Sequence, residues 1–534
     1  MKNLFFSLLI VLGFSISGSS QSNINYEVQL NPILINGLSG LHSYAFAQNA
    51  NKWLIVGGRR DGLHARQPFN AFPASQNNDS IYVIDIVTQQ FWSASLNSLP
   101  TGMKEQLQST NMNFYQDNNS LYIVGGYGYS NTAADHITYP NLTSIQASGL
   151  MNAIINQASI LPYFKQITNQ DMAITGGQLG KIGNKFYLVG GHRFDGRYNP
   201  MGHNTYTQTY SNQIRKFELT NSGSSITVSN YSAITDAVHL RRRDYNLLPQ
   251  IFPDGTEGYT ISSGVFQSNV DLPFLYPVDI TSNGHFPNTG FNQYLSNYHS
   301  AKACFYDSLN NEMHSLFFGG MSQYYYQNGT LIQDNNVPFV KTISRMTRYA
   351  DSSLSEFQLA SEMPNFKGAS AEFILNQNLP HTESEIIKIS DIQGDTISIG
   401  HIFGGILSNS LNPFGSNQSS TTTADPSIYE VILIRQNSTS INEIQNEDRE
   451  LLRIFPNPAK TIFTASINLA NHSKVYYFLS NTLGQVIKEG ELRSVNGMNE
   501  FEIEIPSEIK SQNLNFTLVV DDVKFYAEKI SFLK

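Results

Sequence analysis

Trp53-Leu54-Ile55-Val56-Gly57-Gly58 is an apolar run that stops on two glycines. Four further stretches end in the same way: Val124-Gly125-Gly126, Val189-Gly190-Gly191, Phe318-Gly319-Gly320 and Phe403-Gly404-Gly405. A degenerate sixth copy, Ser262-Ser263-Gly264, fills the one wide gap, and the second glycines then stand 68, 65, 73, 56 and 85 residues apart. Recurrence at this period signals an array of similar structural units. Glycine suits the end of a strand because it has no Cβ, accepts positive φ and lets another backbone approach.

Working outward from the first pair, residues 43–47 (SYAFA) read as a strand that turns at 48–52 into Trp53 and the glycines. After a long loop, 80–87 (SIYVIDIV) and 91–96 (FWSASL) form a second hairpin around Thr88-Gln89-Gln90. One copy thus supplies four antiparallel strands, and the pattern returns around each later pair. Helical periodicity is weak; 145–161 reads as a short helix inserted in the second unit. The chain is expected to be all-β. Four-stranded units repeated radially make a β-propeller, here of six blades.

The residues resemble kelch repeats over about 24–436. In the first unit Gly57-Gly58 is followed by Tyr82, Asp85, Thr88 and Trp92 in the order that family shows. The other units depart from it, since Trp53 and Trp92 are the only tryptophans. The expectation is a six-bladed kelch-like propeller over 21–436. Its last unit, ending at 428–434 (IYEVILI), is one strand short, while 25–30 (NYEVQL) precedes the first unit without a partner. Pairing the two would close the ring and remove an exposed edge.

A polar linker follows at 437–450, and then 451–534 carries its own alternating strands, a small Ig-like β-sandwich. Within it Phe455-Pro456-Asn457-Pro458-Ala459 and Asn481-Thr482-Leu483-Gly484-Gln485 resemble the opening motif and a hairpin turn of the type IX secretion sorting domain of Bacteroidetes. The resemblance implies that Pro456, Asn457 and Pro458 are the sorting motif, that the type IX machinery is a partner, and that the protein crosses the periplasm to be secreted or held at the outer cell surface. The first 20 residues fit this, with Lys2 ahead of a short apolar run from 4 to 16, as in a signal peptide. No later stretch is long and apolar enough to span a bilayer.

Composition is ordinary for a globular protein, 40% hydrophobic and 14% charged, with net charge −9 and no Lys/Arg-rich block, so nucleic acid is not expected as a partner. Cys304 is the only cysteine and is expected to be buried, so no disulfide supports the fold.

Ligands of a propeller meet its loops, because packing fixes the strands. The long loops follow the glycine pairs, at 59–79, 127 to about 161, 192–213, 321–338 and 406–426, and topology puts them on one face. They carry Arg59, Arg60, Tyr127, His192, Arg193 and Tyr325, with Arg243 of the Arg241-Arg242-Arg243 run arriving on the same face. Arginines and aromatics together suit a glycan or a protein ligand. His42 and His299 read as structural, as the kelch resemblance implies.

Three functions fit these features. The favoured one is a secreted or surface binding protein without catalysis. A sugar-active enzyme resembling six-bladed sialic acid epimerases would use Arg59, Arg193, Arg243, His192 and His299, although acids on that face look sparse. An enzyme resembling galactose oxidase would need a cysteine facing the site, and Cys304 lies within a strand. The third is a non-catalytic surface scaffold, for which Asp79-Ser80-Ile81, Asp307-Ser308-Leu309 and Asp395-Thr396-Ile397 resemble glycosylation sites. No catalytic motif, metal-ligand spacing or cofactor motif is present, so no cofactor or metal is expected.

Overall fold

The computed structural model describes residues 26–200, 205–435, 452–469, 473–481, 485–507, 509, 513–521 and 524–531. The stretches expected to be a signal peptide, 1–20, and a linker, 437–450, fall outside these residues. The chain divides into two units, Met1–Asn437 and Ser438–Lys534.

The first unit is a six-bladed β-propeller. Its first blade runs outward from Ala45–Asn49 through Lys52–Val56 and Ser80–Asp85 to Gln90–Ser95, all antiparallel. Four blades repeat that order, starting from the innermost strands Asn113–Asp117, Gln178–Ile182, Asn246–Ile251 and Ala301–Asp307. The sixth begins at Glu372–Leu375 and takes its outermost strand, Tyr26–Ile33, from the start of the chain, paired along its length with Ile428–Arg435. This is the closure expected from the strand count. Apolar side chains fill the spaces between blades; Tyr44, Phe46 and Trp53 of the first pack against Ile374, Phe403 and Ile428 of the sixth. Cys304 is buried there too, and burial pushes its thiol up to about 11.

Two belts of backbone hydrogen bonds tie the blades into a ring. In the first belt the second glycine of every pair donates its N–H to a carbonyl of the next blade. Gly58 reaches Ser109 at 2.9 Å, Gly126 reaches Ile174 at 3.1 Å and Gly191 reaches Arg242 at 2.8 Å. The circuit continues from Gly264 to Asn297 at 3.2 Å, Gly320 to Lys367 at 2.8 Å and Gly405 to Leu41 at 2.9 Å. The degenerate copy keeps its glycine at the donating position. In the second belt, just before each inner strand, six residues donate to the preceding blade. Ser43 bonds Ser370, Asn111 bonds Ser43, Gly176 bonds Asn111, Asp244 bonds Gly176, His299 bonds Asp244 and Ser370 bonds His299, all within 2.7–3.2 Å. The six form a closed collar around the axis. Five of them, all but His299, hold φ between 50° and 66°. Glycine, asparagine and aspartate are the residues that tolerate this backbone best.

The second blade differs from the sequence expectation. Its third strand, Asn141–Gln146, lies inside the stretch read as loop, and only Ala147–Ile155 is helical. Alternation is hidden because Thr143 and Ser144 are buried and hydrogen-bonded to Gln106 and Asn221. The second long loop is therefore about 127–139.

The second unit is a β-sandwich. Arg453–Phe455, Ile462–Leu469 and Gly497–Glu504 make one sheet; Val486–Arg493, Lys474–Asn481, Asn513–Val520 and Lys524–Ser531 make the other. Phe463, Ile467, Leu479, Phe516 and Leu518 fill the space between them. Asn457 clamps the motif to the last strand: its Nδ2 donates to Lys529 O and its Oδ1 accepts from Ser531 N, both at 2.8 Å. Asn481 likewise accepts from Gln485 N at 3.0 Å across its turn.

Candidate functional site

On the loop face the collar floors a cavity of about 570 Å³. Ser43, Asn111, Asp244, His299 and Ser370 line its base. The wall begins with the residues directly after five of the glycine pairs, Arg59, Tyr127, His192, Met321 and Ile406, and with Phe266, one position further on in the fourth blade. The same six-fold repeat that builds the blades thus delivers one side chain per blade to the axis.

Of the residues singled out in the sequence, Arg59, Tyr127, His192 and Arg243 line the cavity, and Arg60, Arg193 and Tyr325 do not. Alternation explains the first two exceptions, since the residue after an inward-facing one points away. Arg60 turns outward to Asp79 at 2.9 Å, and Arg193 to Asp195 at 2.5 Å and Gln170 at 3.1 Å. Tyr325 stands on a separate hairpin, Tyr324–Gln327 with Thr330–Gln333.

The residues that do line it are not equally free. Arg59 is 2% exposed, with its guanidinium held by both oxygens of Asp61 at 2.8 and 2.6 Å and by Asn77 at 2.9 Å. Burial would raise the Asp61 carboxyl, but His42 and Arg59 hold it below its usual range. Tyr127 donates to Gly196 O at 2.8 Å, and burial raises its phenol. His192 is kept neutral by burial, with Arg243 adding to the effect, and its Nδ1 meets Gln208 at 2.6 Å. Burial opposes the charge on Arg243, yet Asp244 and Tyr210 keep it firmly protonated. Its neighbours in the run serve the fold. Arg242 is fully buried on three carbonyls, and Arg241 lies 3.9 Å over the Tyr210 ring.

Further residues line the cavity, some of them, His64, Arg66 and Tyr198, on the long loops read from the sequence and others, Phe72, Asp271 and Phe414, without a sequence signal. Phe72, Tyr198 and Phe414 surround His64, with ring centroids 4.9, 4.7 and 5.5 Å away, and burial brings that imidazole down to about 4. Arg66 and Asp271 reach the cavity without an ion-pair partner among the described residues. His299, read as structural, faces the cavity, and its Nε2 lies 3.2 Å from Oε1 of Glu372, a carboxylate buried at the start of the sixth inner strand. Acids on the axis are thus less sparse than the loops alone suggest.

Beneath the collar a second cavity of about 420 Å³ occupies the shaft and shares Ser43, Asn111, Asp244 and His299 with the first. An insertion of the sixth blade lines this inner cavity through residues 381–385, and its strand Ile386–Lys388 pairs in parallel with the inner strand of the fifth blade. Among the described residues no group of three or more potential ligands could hold a metal ion, and no helix is long and apolar enough to cross a membrane.

No family model matches the chain, and no curated protein does. Among solved structures, one titled "Structure of YjhT" overlaps 73% of this chain and 99% of that chain, at 13% identity and a TM-score of 0.40. At that level of similarity the fold rests on this chain's own strand pairing: the protein is a six-bladed β-propeller with a β-sandwich.

Proposed function

We propose that the protein binds a carbohydrate in the axial cavity of its loop face. One observation carries this reading: six blades converge on a single concave cavity of about 570 Å³, within the range of small-molecule sites and unlike a flat protein interface. Its walls suit sugars. Phe72, Tyr198 and Tyr298 line it with half-buried aromatic surface of the kind on which sugar C–H groups pack. Arg66 supplies donors and Asp271 acceptors, both left open for hydroxyl or carboxylate groups. The sandwich is read as the sorting domain of type IX secretion, delivering the propeller to the exterior or the outer cell surface; the Asn457 clamp gives its Pro-Asn-Pro motif a structural role that supports this. A glycan array probed with the full chain and with Tyr198→Ala tests the binding reading. Hits that vanish in the variant support it, and an array without hits overturns it.

A second reading, a sugar-active enzyme, draws on one observation, the pairing of His299 on the cavity floor with Glu372, which lines the inner cavity.

A further inference from the structure

We infer that His299, held by Glu372, is a general base acting on the ligand of this cavity, and that the reaction its surroundings fit is β-elimination from a uronate-containing polysaccharide. The inference rests on the carbohydrate reading above and names its substrate class.

His299 differs from its counterparts in the collar. It is the one member not held at positive φ, and the one imidazole there. With a proton on Nε2, the ring donates to buried Glu372 at 3.2 Å. The lone pair then sits on Nδ1, which no partner among the described residues occupies, and the side chain lines the cavity. A carboxylate that fixes the tautomer and leaves the opposite nitrogen free is how a histidine is prepared to take a proton.

Three neighbours define which proton. Arg243 lines the same floor from the adjacent blade, charged and anchored through Asp244 and Tyr210. Arg66 faces the cavity from the first blade's loop without a carboxylate partner. Guanidinium groups neutralise a carboxylate and so acidify the C–H beside it. Tyr298, next to His299 and also lining the cavity, is kept protonated by burial and can donate.

The step balances without an added reagent. Nδ1 of His299 takes the proton from the carbon bearing the uronate carboxylate. The electron pair of that C–H bond becomes a carbon–carbon double bond to the neighbouring ring carbon, whose glycosidic C–O bond breaks. The departing oxygen receives a proton from Tyr298, and proton exchange with solvent restores both groups. The products are a shortened chain and an unsaturated uronate.

The test uses the full chain with alginate, polygalacturonate and chondroitin sulfate, following the ultraviolet absorbance of the new conjugated double bond, with calorimetric binding measured in parallel. Absorbance should rise with at least one polymer. His299→Gln should slow it about 100-fold or more, the scale of a lost general base, while binding persists. Glu372 acts through His299 as a positioning residue, so Glu372→Gln should lower kcat with KM nearly unchanged. Arg193→Ala, off the cavity, should match wild type. Binding without absorbance for all three polymers overturns the elimination and leaves the carbohydrate reading standing; absence of both overturns both. Undiminished turnover in His299→Gln, or in Glu372→Gln should the first variant not fold, removes the base assignment.

Discussion

Gly125 stands against a carbonyl that accepts from the glycine belt. Its φ is +67°, and a Cβ there would lie 1.8 Å from the backbone oxygen of Ile174 in the third blade. That oxygen already accepts from Gly126 N at 3.1 Å and from Asn113 Nδ2 at 2.9 Å. Gly125→Ala therefore strains the left-handed backbone by about 1–2 kcal/mol. It also forces two blades apart, costing about 1–3 kcal/mol of overpacking and about 1 kcal/mol for a weakened buried hydrogen bond. The sum is near 4 kcal/mol by these same terms. Gly183 is the control: its φ is +57°, but a Cβ meets nothing within 4 Å. Gly183→Ala should show the strain alone, about 1–2 kcal/mol. Urea unfolding of the two variants, compared through their midpoints at matched slopes, separates the terms. Equal midpoints would falsify the claim that the glycine pairs exist to let neighbouring blades touch.

Arg242→Met leaves three carbonyls, the buried one of Ser263 and the part-buried ones of His239 and Tyr276, without their donor. At about 1 kcal/mol each the propeller should lose about 3 kcal/mol in urea unfolding; a negligible loss would contradict the structural role given to Arg242. His314, 1% exposed at its side chain, is held by burial down to about 3 against 6.5 for a free imidazole. Its folded form resists a proton that the unfolded chain accepts, so its contribution is complete above 6.5 and is lost as pH falls toward 3. His314→Phe should flatten the decline in thermal midpoint between neutral and acidic pH, and parallel curves would contradict this. Asn457→Ala removes two backbone links of the sandwich and should destabilise it by about 2 kcal/mol. Faster hydrogen exchange at the Ala459 and Ser531 amides, with ligand binding unchanged, is the expected signature.

The fold was largely legible because its defining interaction is local. These glycines hold positive φ and a Cβ on any of them would meet a neighbouring atom at 3.0 Å or less, so Gly58, Gly126, Gly191, Gly264, Gly320 and Gly405 mark the ring even where tryptophan and the first glycine are lost. The missing strand at Asn141–Gln146 was invisible because its buried Thr143 and Ser144 are satisfied by Gln106 and Asn221, partners distant in sequence. The site was half legible. The position after the glycine pair faces the axis in five of the six blades, which found Arg59, Tyr127 and His192. Whether such a residue is free depends on its partners, and Arg59 proves to be locked by Asp61 and Asn77. Glu372 gave no signal of its own. It becomes meaningful only because the radial packing of consecutive blades places the start of the sixth inner strand beside His299 of the fifth.

The central claim is that the axial cavity, and no other part of the loop face, takes a sugar. Titration of the full chain with a glycan identified on the array, comparing wild type with Arg66→Ala and with Arg60→Ala, tests it directly. Both arginines lie in the first blade's loop, but only Arg66 lines the cavity. Affinity should fall at least tenfold in Arg66→Ala, about 1.4 kcal/mol, and hold in Arg60→Ala. Equal affinities for all three proteins would contradict the account.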